Sequence, residues 1–414
     1  MKNLKKKLKT IYWWMASFIV RHYYGNPSKN LKVVGVTGTS GKTTTATLLY
    51  KIATELGYKT GLIGTVENII VKDKEEAIMT TPDSIALTKL FHRMRDAGCE
   101  YVFMETSSHA IDQNRVRGIN FTGGIFTNLS QDHFDYHKNF ENYFQAKKKF
   151  FKMLSKKAFA LSNIDDKYGL KMLENIKAHQ FAYGFNSREG DTLFFGKVIK
   201  IDFNGLEMIF NGIPVKTKLL GRFNAYNLLA VWSACSLLDF NMKKVNKILE
   251  SIEPPRGRFE HFTSKNGVLV IVDYAHKPDA LEKIFSAVKE TKSNKVRIIS
   301  VFGCGGDRDS LKRPIMGKIG AVNSDITIFT SDNPRSEDPD RIIEDMKTML
   351  SSEELKKVKT ISNRREAILE SVKLAVNGDI ILCAGKGHEN YQIIKGVKTH
   401  FDDMEEFRKA YGKL

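Results

Sequence analysis

The run Thr37-Gly-Thr-Ser-Gly-Lys-Thr-Thr-Thr45 follows a β-branched segment, Lys32–Val36, and precedes apolar residues at helical spacing through Leu49, Ile52 and Leu56. A strand, a glycine-rich turn, Lys-Thr and a helix together make an arrangement that closes backbone N–H groups on phosphate oxygens. Gly38 and Gly41 permit the close approach. Lys42 would neutralise β/γ-phosphate charge, and Thr43 would offer its hydroxyl to Mg²⁺. Thr39, Ser40 and Thr44 complete the candidate ATP cradle. The strict GxxxxGK[ST] pattern is not met, because Val36 stands at its first glycine. Val102–Met104 reads as the end of a strand, and Glu105 follows it. A carboxylate there, beside a phosphate loop, is a natural Mg²⁺ ligand. Such a site suits activation of a carboxylate by ATP as an acyl phosphate, where two anions must be brought together.

Two further clusters carry chemistry-bearing types. His133 and His137 are four apart, a zinc-like spacing on a helix, but no third ligand is evident. The stretch YFQAKKKFF (143–151) holds three successive lysines. Its ordinary reading is a solvated helix face. A lysine kept neutral can instead add CO₂ and become an anionic metal ligand, and neighbouring lysines would lower its pKa. The residues alone do not choose among Lys147, Lys148 and Lys149.

More motifs follow in order: TTPDS (80–84), METSSHAIDQNRV (104–116), TNLSQDHFDYH (127–137), GRFNAYNLLA (221–230), PPRGRFE (254–260), VDYAHKPDAL (272–281), GCGGDRD (303–309), SDNPR (331–335) and AGKGHE (384–389). With TGTSGKTTT, this set resembles the Mur ligases, ATP-dependent amide-forming enzymes of peptidoglycan synthesis, and within them the MurE type. The resemblance implies an ATP- and Mg²⁺-dependent ligase that adds meso-diaminopimelate to a UDP-muramoyl-dipeptide-like acceptor. It implies a CO₂-derived carbamate on Lys147, with His133 assisting a Mg²⁺ site, so that Thr43, Glu105, His133 and Lys147 form the metal set. It assigns Asn227, Arg258 and Asp273 to the nucleotide, and Thr80, Thr81, Ser107, Gln113 and Arg115 to the muramoyl dipeptide. It assigns Arg308, Asp332, Asn333, Pro334, Arg335, Gly385 and Glu389 to diaminopimelate. The second amino-acid head of that substrate offers a carboxylate to Arg335 and an ammonium to Asp332 and Glu389. Alternatives are a different or lipid-linked acceptor, addition of L-lysine, or a folylpolyglutamate synthase-like ligase. Outside the enzymes stands a nucleotide-regulated membrane scaffold.

These residues need rigid elements to hold them. The expected fold class is α/β: a P-loop-type central domain over 31–253 and a Rossmann-like C-terminal domain over 254–414, both with mostly parallel sheets. The break falls at Glu253-Pro254-Pro255. In the second half, 296–302, 326–330 and 379–383 read as buried strands, and 278–290 and 340–351 as helices. About thirty residues precede the first strand, too few for the N-terminal domain with which the family ordinarily grips uridine diphosphate. Residues 1–24 instead read as a basic amphipathic segment. Leu4, Leu8, Ile11, Met15 and Phe18 lie at helical spacing among lysines, with Trp13 and Trp14 beside them. That pattern suits a helix docked on the protein by the same stripe, or one lying on an anionic membrane surface. The expected setting is the cytoplasm, with the inner membrane face as a candidate contact through residues 1–24 and other cell-wall enzymes as candidate partners.

Composition bounds the rest. The 414 residues are 42% hydrophobic and 27% charged, which excludes wholesale disorder and a polytopic membrane protein. With 65 Lys+Arg against 47 Asp+Glu, the net charge is +18, which suits anionic substrates. No base-reading or base-stacking motif accompanies it, so nucleic acid is not an expected partner. Cys99, Cys235, Cys304 and Cys383 are far apart and form no CxxC pair, so neither a disulfide framework nor a zinc ribbon is indicated.

Overall fold

In the computed structural model, residues 18–186, 194–291 and 296–412 are described. The amphipathic stripe from Leu4 to Met15 lies outside them, as do Trp13 and Trp14. No helix among the described residues is long and apolar enough to cross a membrane. They fall into two compact units that divide between Ile252 and Glu253, with residues 201–204 grouped with the second.

The first unit is built on an eleven-stranded sheet. Its centre is Lys32–Thr37, flanked by Tyr101–Glu105 and Phe121–Phe126, all parallel. Parallel pairing continues outward to Thr60–Ile63 on one side. On the other it runs through Phe159–Asn163 and His179–Gly184 to Phe194–Asp202. Antiparallel strands finish both edges. Val33, Val34, Val36, Val102, Phe103 and Met104 are all buried. A sheet covered on both faces explains why these strands read as continuous apolar runs. The register pairs Val36 with Glu105 and Thr37 with Phe126. Three neighbouring strands therefore release the phosphate loop, Glu105 and Thr127-Asn128 at the same sheet edge, the usual ligand edge of such sheets.

The second unit holds a six-stranded sheet in the order Glu260–Thr263, Leu269–Asp273, Ile380–Ala384, Ile298–Phe302, Ile326–Phe329, Val358–Thr360. The first pair is antiparallel and the rest are parallel. Asp273 and Phe302 both pair with Ala384, so the segments after them leave one edge together. The α/β class with mostly parallel sheets is as the sequence implied. One helix is shorter than its pattern. The stretch read over 340–351 is helical as Pro339–Lys347, and Ser351 then caps a separate turn, Ser352–Leu355. Ser351 and Glu354 form a reciprocal capping box there, and a local cap of that kind competes with helix continuation.

Candidate active site

The helix Lys42–Glu55 starts at Gly41, whose φ is 85°. An L-residue rarely adopts that angle, and a Cβ there would lie 2.4 Å from Asn227 Oδ1. The phosphate loop is held from the neighbouring strand end. Thr39 N donates to Asn128 O (2.8 Å) and Ser40 N to Asn128 Oδ1 (3.0 Å), while Thr127 Oγ1 donates to Ser40 O (2.7 Å). Lys42 Nζ folds back onto the carbonyls of Gly38 (2.9 Å) and Thr39 (2.8 Å). Glu105 is 1% exposed. Its carboxylate accepts from Thr43 Oγ1 (2.9 Å), Thr65 N (2.7 Å) and Thr65 Oγ1 (3.1 Å). Thr44 is buried beside Thr43 in the first turn. A buried carboxylate touching a loop hydroxyl is a hard-oxygen donor set and fits Mg²⁺.

Lys147 enters from the helix Phe140–Met153. It is 1% exposed, donates to Gly38 O at 2.7 Å, and lies over the Tyr143 ring at 4.5 Å. Burial first, and the Lys42 charge second, hold its amine well below the ordinary value, while Asp132 opposes them. The expectation that Lys148 and Lys149 depress this amine is corrected here. Lys148 Nζ bonds the carbonyls of Lys171 and Glu174, and Lys149 Nζ bonds Asn114 Oδ1. Successive helix residues point about 100° apart, so the three lysines serve three environments. His133 has φ 55° and lies 3.4 Å from Asp132 Oδ2, its ring 4.8 Å from that of His109. His137 is buried against Ser108 Oγ at 3.0 Å.

The residues assigned to the muramoyl dipeptide form one network. Thr81 Oγ1 donates to Glu105 O and accepts from Ser107 N. Ser107 Oγ caps the short helix Ser108–Asp112. Arg115 donates to Gln113 Oε1 and Thr81 O, and Thr80 Oγ1 accepts from Thr65. Thr81 and Ser107 thus do scaffold work, whereas Arg115 and Gln113 hold each other's polar ends. Sequence reasoning missed Thr65, Asn128 and Tyr143. Asn128 and Tyr143 lie inside quoted segments, but Thr65 carries no local signal.

In the second unit, Asp273 accepts from the amides of Phe259 (2.7 Å) and Ala275 (2.8 Å), and Arg258 lies over the Tyr274 ring. Burial pushes the Asp273 carboxyl up to about 6, against the pull of Arg258 and three backbone amides. A carboxyl raised above its ordinary 3.8 holds its proton more tightly when folded. It therefore contributes stability in acid that is lost as pH rises through about 6. His276 and His388 are pushed down, to about 4 and about 3, chiefly by burial, and change stability in the opposite direction. The comparison with Asp273→Asn isolates the carboxyl. From pH 4 to 6.5 the wild type should lose about 2 kcal/mol relative to that variant, with no change above pH 7. Denaturant melts across pH check it; a constant gap would reject the assignment.

The residues that the resemblance assigns to diaminopimelate lie in the segments after three strands, Ile298–Phe302, Ile326–Phe329 and Ile380–Ala384. Asn333 Nδ2 donates to Glu389 Oε2 (2.8 Å) and Asp332 Oδ1 (3.3 Å). Gly385 has φ +114°, and a Cβ there would meet Asp332 Oδ2 at 3.2 Å. Arg335, also at positive φ (55°), donates to Gly306 O at 2.6 Å, and Gly306 abuts the Pro334 carbonyl. Arg308 is exposed. Lys386 was not singled out by the sequence, yet it is buried at the centre: its Nζ is 3.5 Å from Glu389 Oε2, 3.9 Å from Asp332 Oδ1 and bonded to Tyr391 O. Burial first, and Asp332 second, raise the Glu389 carboxyl.

Comparison with known proteins matches residues 36–235 to the Mur ligase middle domain and 257–387 to the Mur ligase, glutamate ligase domain. The chain is similar to a UDP-N-acetylmuramoyl-L-alanyl-D-glutamate–2,6-diaminopimelate ligase of Phocaeicola vulgatus, with 50% identity over 94% of this chain and 80% of that one. A protein of the same name from Parabacteroides distasonis is 49% identical over 95% and 80% of the respective chains. A solved structure of such a ligase superimposes with a TM-score of 0.68 at 32% identity, covering 92% of this chain and 78% of that one.

Proposed function

The chain belongs to the Mur ligase family, and from that premise we propose that it is an ATP-dependent ligase of peptidoglycan synthesis. It joins 2,6-diaminopimelate, in its meso form, to a UDP-N-acetylmuramoyl-L-alanyl-D-glutamate acceptor, releasing ADP and phosphate. The observation that carries the reading is that the amines of Lys42 and Lys147 both donate to the Gly38 carbonyl while Glu105 grips Thr43. Burial first, and the adjacent Lys42 charge second, hold the Lys147 amine well below its ordinary value, which favours reaction with CO₂.

An oxygen of the acceptor carboxylate attacks the γ-phosphorus, the bond to the bridging oxygen breaks, and ADP leaves. The amine of the incoming amino acid, having lost a proton, then attacks the acyl carbon and expels phosphate. Lys42 balances charge on the transferring group, and the loop amides and Thr39, Ser40 and Thr44 orient it. The Lys147 amine adds CO₂ with loss of a proton, giving a carbamate that the neighbouring Lys42 ammonium stabilises. Thr43, Glu105, His133 and that carbamate would hold Mg²⁺, which when bound offsets the repulsion between the two anions. Asn227, Arg258 and Asp273 serve the nucleotide; Thr80, Gln113 and Arg115 serve the dipeptide on a frame that Thr81 and Ser107 hold through Glu105 O and the 108–112 helix cap. Arg335 forks onto the distal carboxylate of diaminopimelate, Asp332 and Glu389 accept from its ammonium, and Arg308, Asn333, Pro334 and Gly385 shape the pocket.

Phosphate release with ATP, Mg²⁺ and the acceptor should require diaminopimelate and stay near background with L-lysine or with neither. Release indifferent to both amino acids would remove the ligase reading. We place the reaction in the cytoplasm, with residues 1–24 resting on an anionic membrane face. Trp13→Ser with Trp14→Ser should lower co-sedimentation with phosphatidylglycerol vesicles, and undiminished sedimentation would reject the contact.

A further inference from the structure

Arg364 is the first residue of the helix Arg364–Leu374, and its side chain is wholly enclosed, as is that of Asp403. The two form a fork: Nε to Oδ1 and Nη2 to Oδ2, both 2.7 Å. The guanidinium has more donors than this fork uses. Nη2 also donates to Ala384 O (3.1 Å), and Nη1 reaches Ser331 O (3.4 Å). Ser331 immediately precedes Asp332–Arg335, and Ala384 immediately precedes Gly385–Glu389. Asp403 opens the terminal helix Asp403–Ala410, which is pinned a second time by Arg365 on Glu406 (2.6 Å). One planar group therefore ties the roots of both amino-acid loops to the terminal helix.

We propose that Arg364 is a positioning residue for amino-acid recognition. It fixes the spacing between the loop carrying Asp332 and Arg335 and the loop carrying Gly385 and Glu389, and it makes the terminal helix part of the specificity apparatus. A buried ion pair is weak evidence for stability, since an apolar pair of similar volume often holds a fold as well. An apolar pair cannot donate to two backbone carbonyls at two strand ends. The pocket must hold an ammonium and a carboxylate of one carbon centre, and an error of about 1 Å in such a site costs much of its binding energy. Arg364 itself does not touch substrate. It acts through Ser331 and Ala384.

The inference rests on the reading of these loops as the diaminopimelate site, and the test separates the two. Arg364→Met combined with Asp403→Leu removes both charges together, so no lone ion is left buried. The full-length variant should melt cooperatively. Its KM for ATP and for the acceptor should stay within about twofold, while its KM for diaminopimelate rises at least about tenfold, or roughly 1.4 kcal/mol. Its preference for diaminopimelate over L-lysine should fall in parallel. Arg364→Lys keeps a cation opposite Asp403 but loses the fork, and should raise the same KM by a smaller factor. A folded variant with unchanged diaminopimelate KM, or with all three KM values raised alike, would overturn the proposal. If the double variant does not fold, the same criteria apply to Arg364→Lys. Wild-type turnover indifferent to diaminopimelate overturns the site reading, and this proposal with it.

Discussion

Lys147→Ala should abolish ligation, lowering kcat by about 10³-fold or more, the scale of losing a preorganised charged group at a reacting centre. The native amine is buried, donates to the Gly38 carbonyl, and has its pKa lowered well below the ordinary value by burial first and by Lys42 second. Alanine deletes the nitrogen that CO₂ would modify. The Gly38 carbonyl keeps Lys42 as a donor, so the loop should survive the change. Formate or acetate at high concentration can enter the space left and supply a carboxylate in place of the carbamate. Partial rescue by those anions separates a missing ligand from a damaged fold. Lys148→Ala is the matched control. That lysine satisfies the last carbonyls around the short helix Gly169–Leu173, so its loss should lower the melting temperature more than the turnover number. Phosphate release by both variants, with and without formate, decides it. Normal turnover by Lys147→Ala would refute the carbamate.

The contrast between these adjacent lysines shows what a sequence can and cannot carry. The phosphate loop was legible because a β-branched strand, two glycines, Lys-Thr and a helical pattern are all local in the chain. Glu105 was legible as the residue that ends a neighbouring strand, although register is what sets it beside Thr43. The environment of Lys147 was not legible. Which of three lysines faces the loop depends on how the helix rolls, and aromatic packing by residues such as Phe150 and Phe151 sets that roll. Thr65 was unreadable for a related reason: it meets Glu105 across 40 positions of chain. Lys386 and Arg364 stood in plain sight as basic residues. Composition predicts such residues on the surface, and only the depth of the second sheet turns them into buried organisers. The 340–351 helix failed on a local contest, since Ser351 and Glu354 begin a new turn that apolar periodicity does not register.

Arg335 carries the other large effect. Arg335→Met should raise the KM for diaminopimelate by about 100-fold, the value of a charge-assisted fork of about 3 kcal/mol. The KM values for ATP and the acceptor should barely move. The native residue sits at positive φ, with Nη1 on the Gly306 carbonyl and the preceding Asn333 tied to Glu389. Its guanidinium is thus aimed from a backbone that few residues would adopt unforced. The discrimination against L-lysine works through the same guanidinium. Lysine as substrate offers an ammonium to Asp332 and Glu389 but no distal carboxylate, so in the wild type it leaves the half-buried Arg335 guanidinium without a carboxylate partner. Methionine removes that penalty. Lysine should therefore become a relatively better substrate at the same time as diaminopimelate becomes a worse one, and the ratio of their kcat/KM values should collapse by about 10²-fold or more. Arg335→Lys should behave much like the methionine variant towards diaminopimelate, because an ammonium cannot form the planar fork. Steady-state kinetics with each amino acid in turn decides it. A diaminopimelate KM that survives either change would mean that another cation reads the carboxylate, and exposed Arg308 in the neighbouring loop would be the next residue to change.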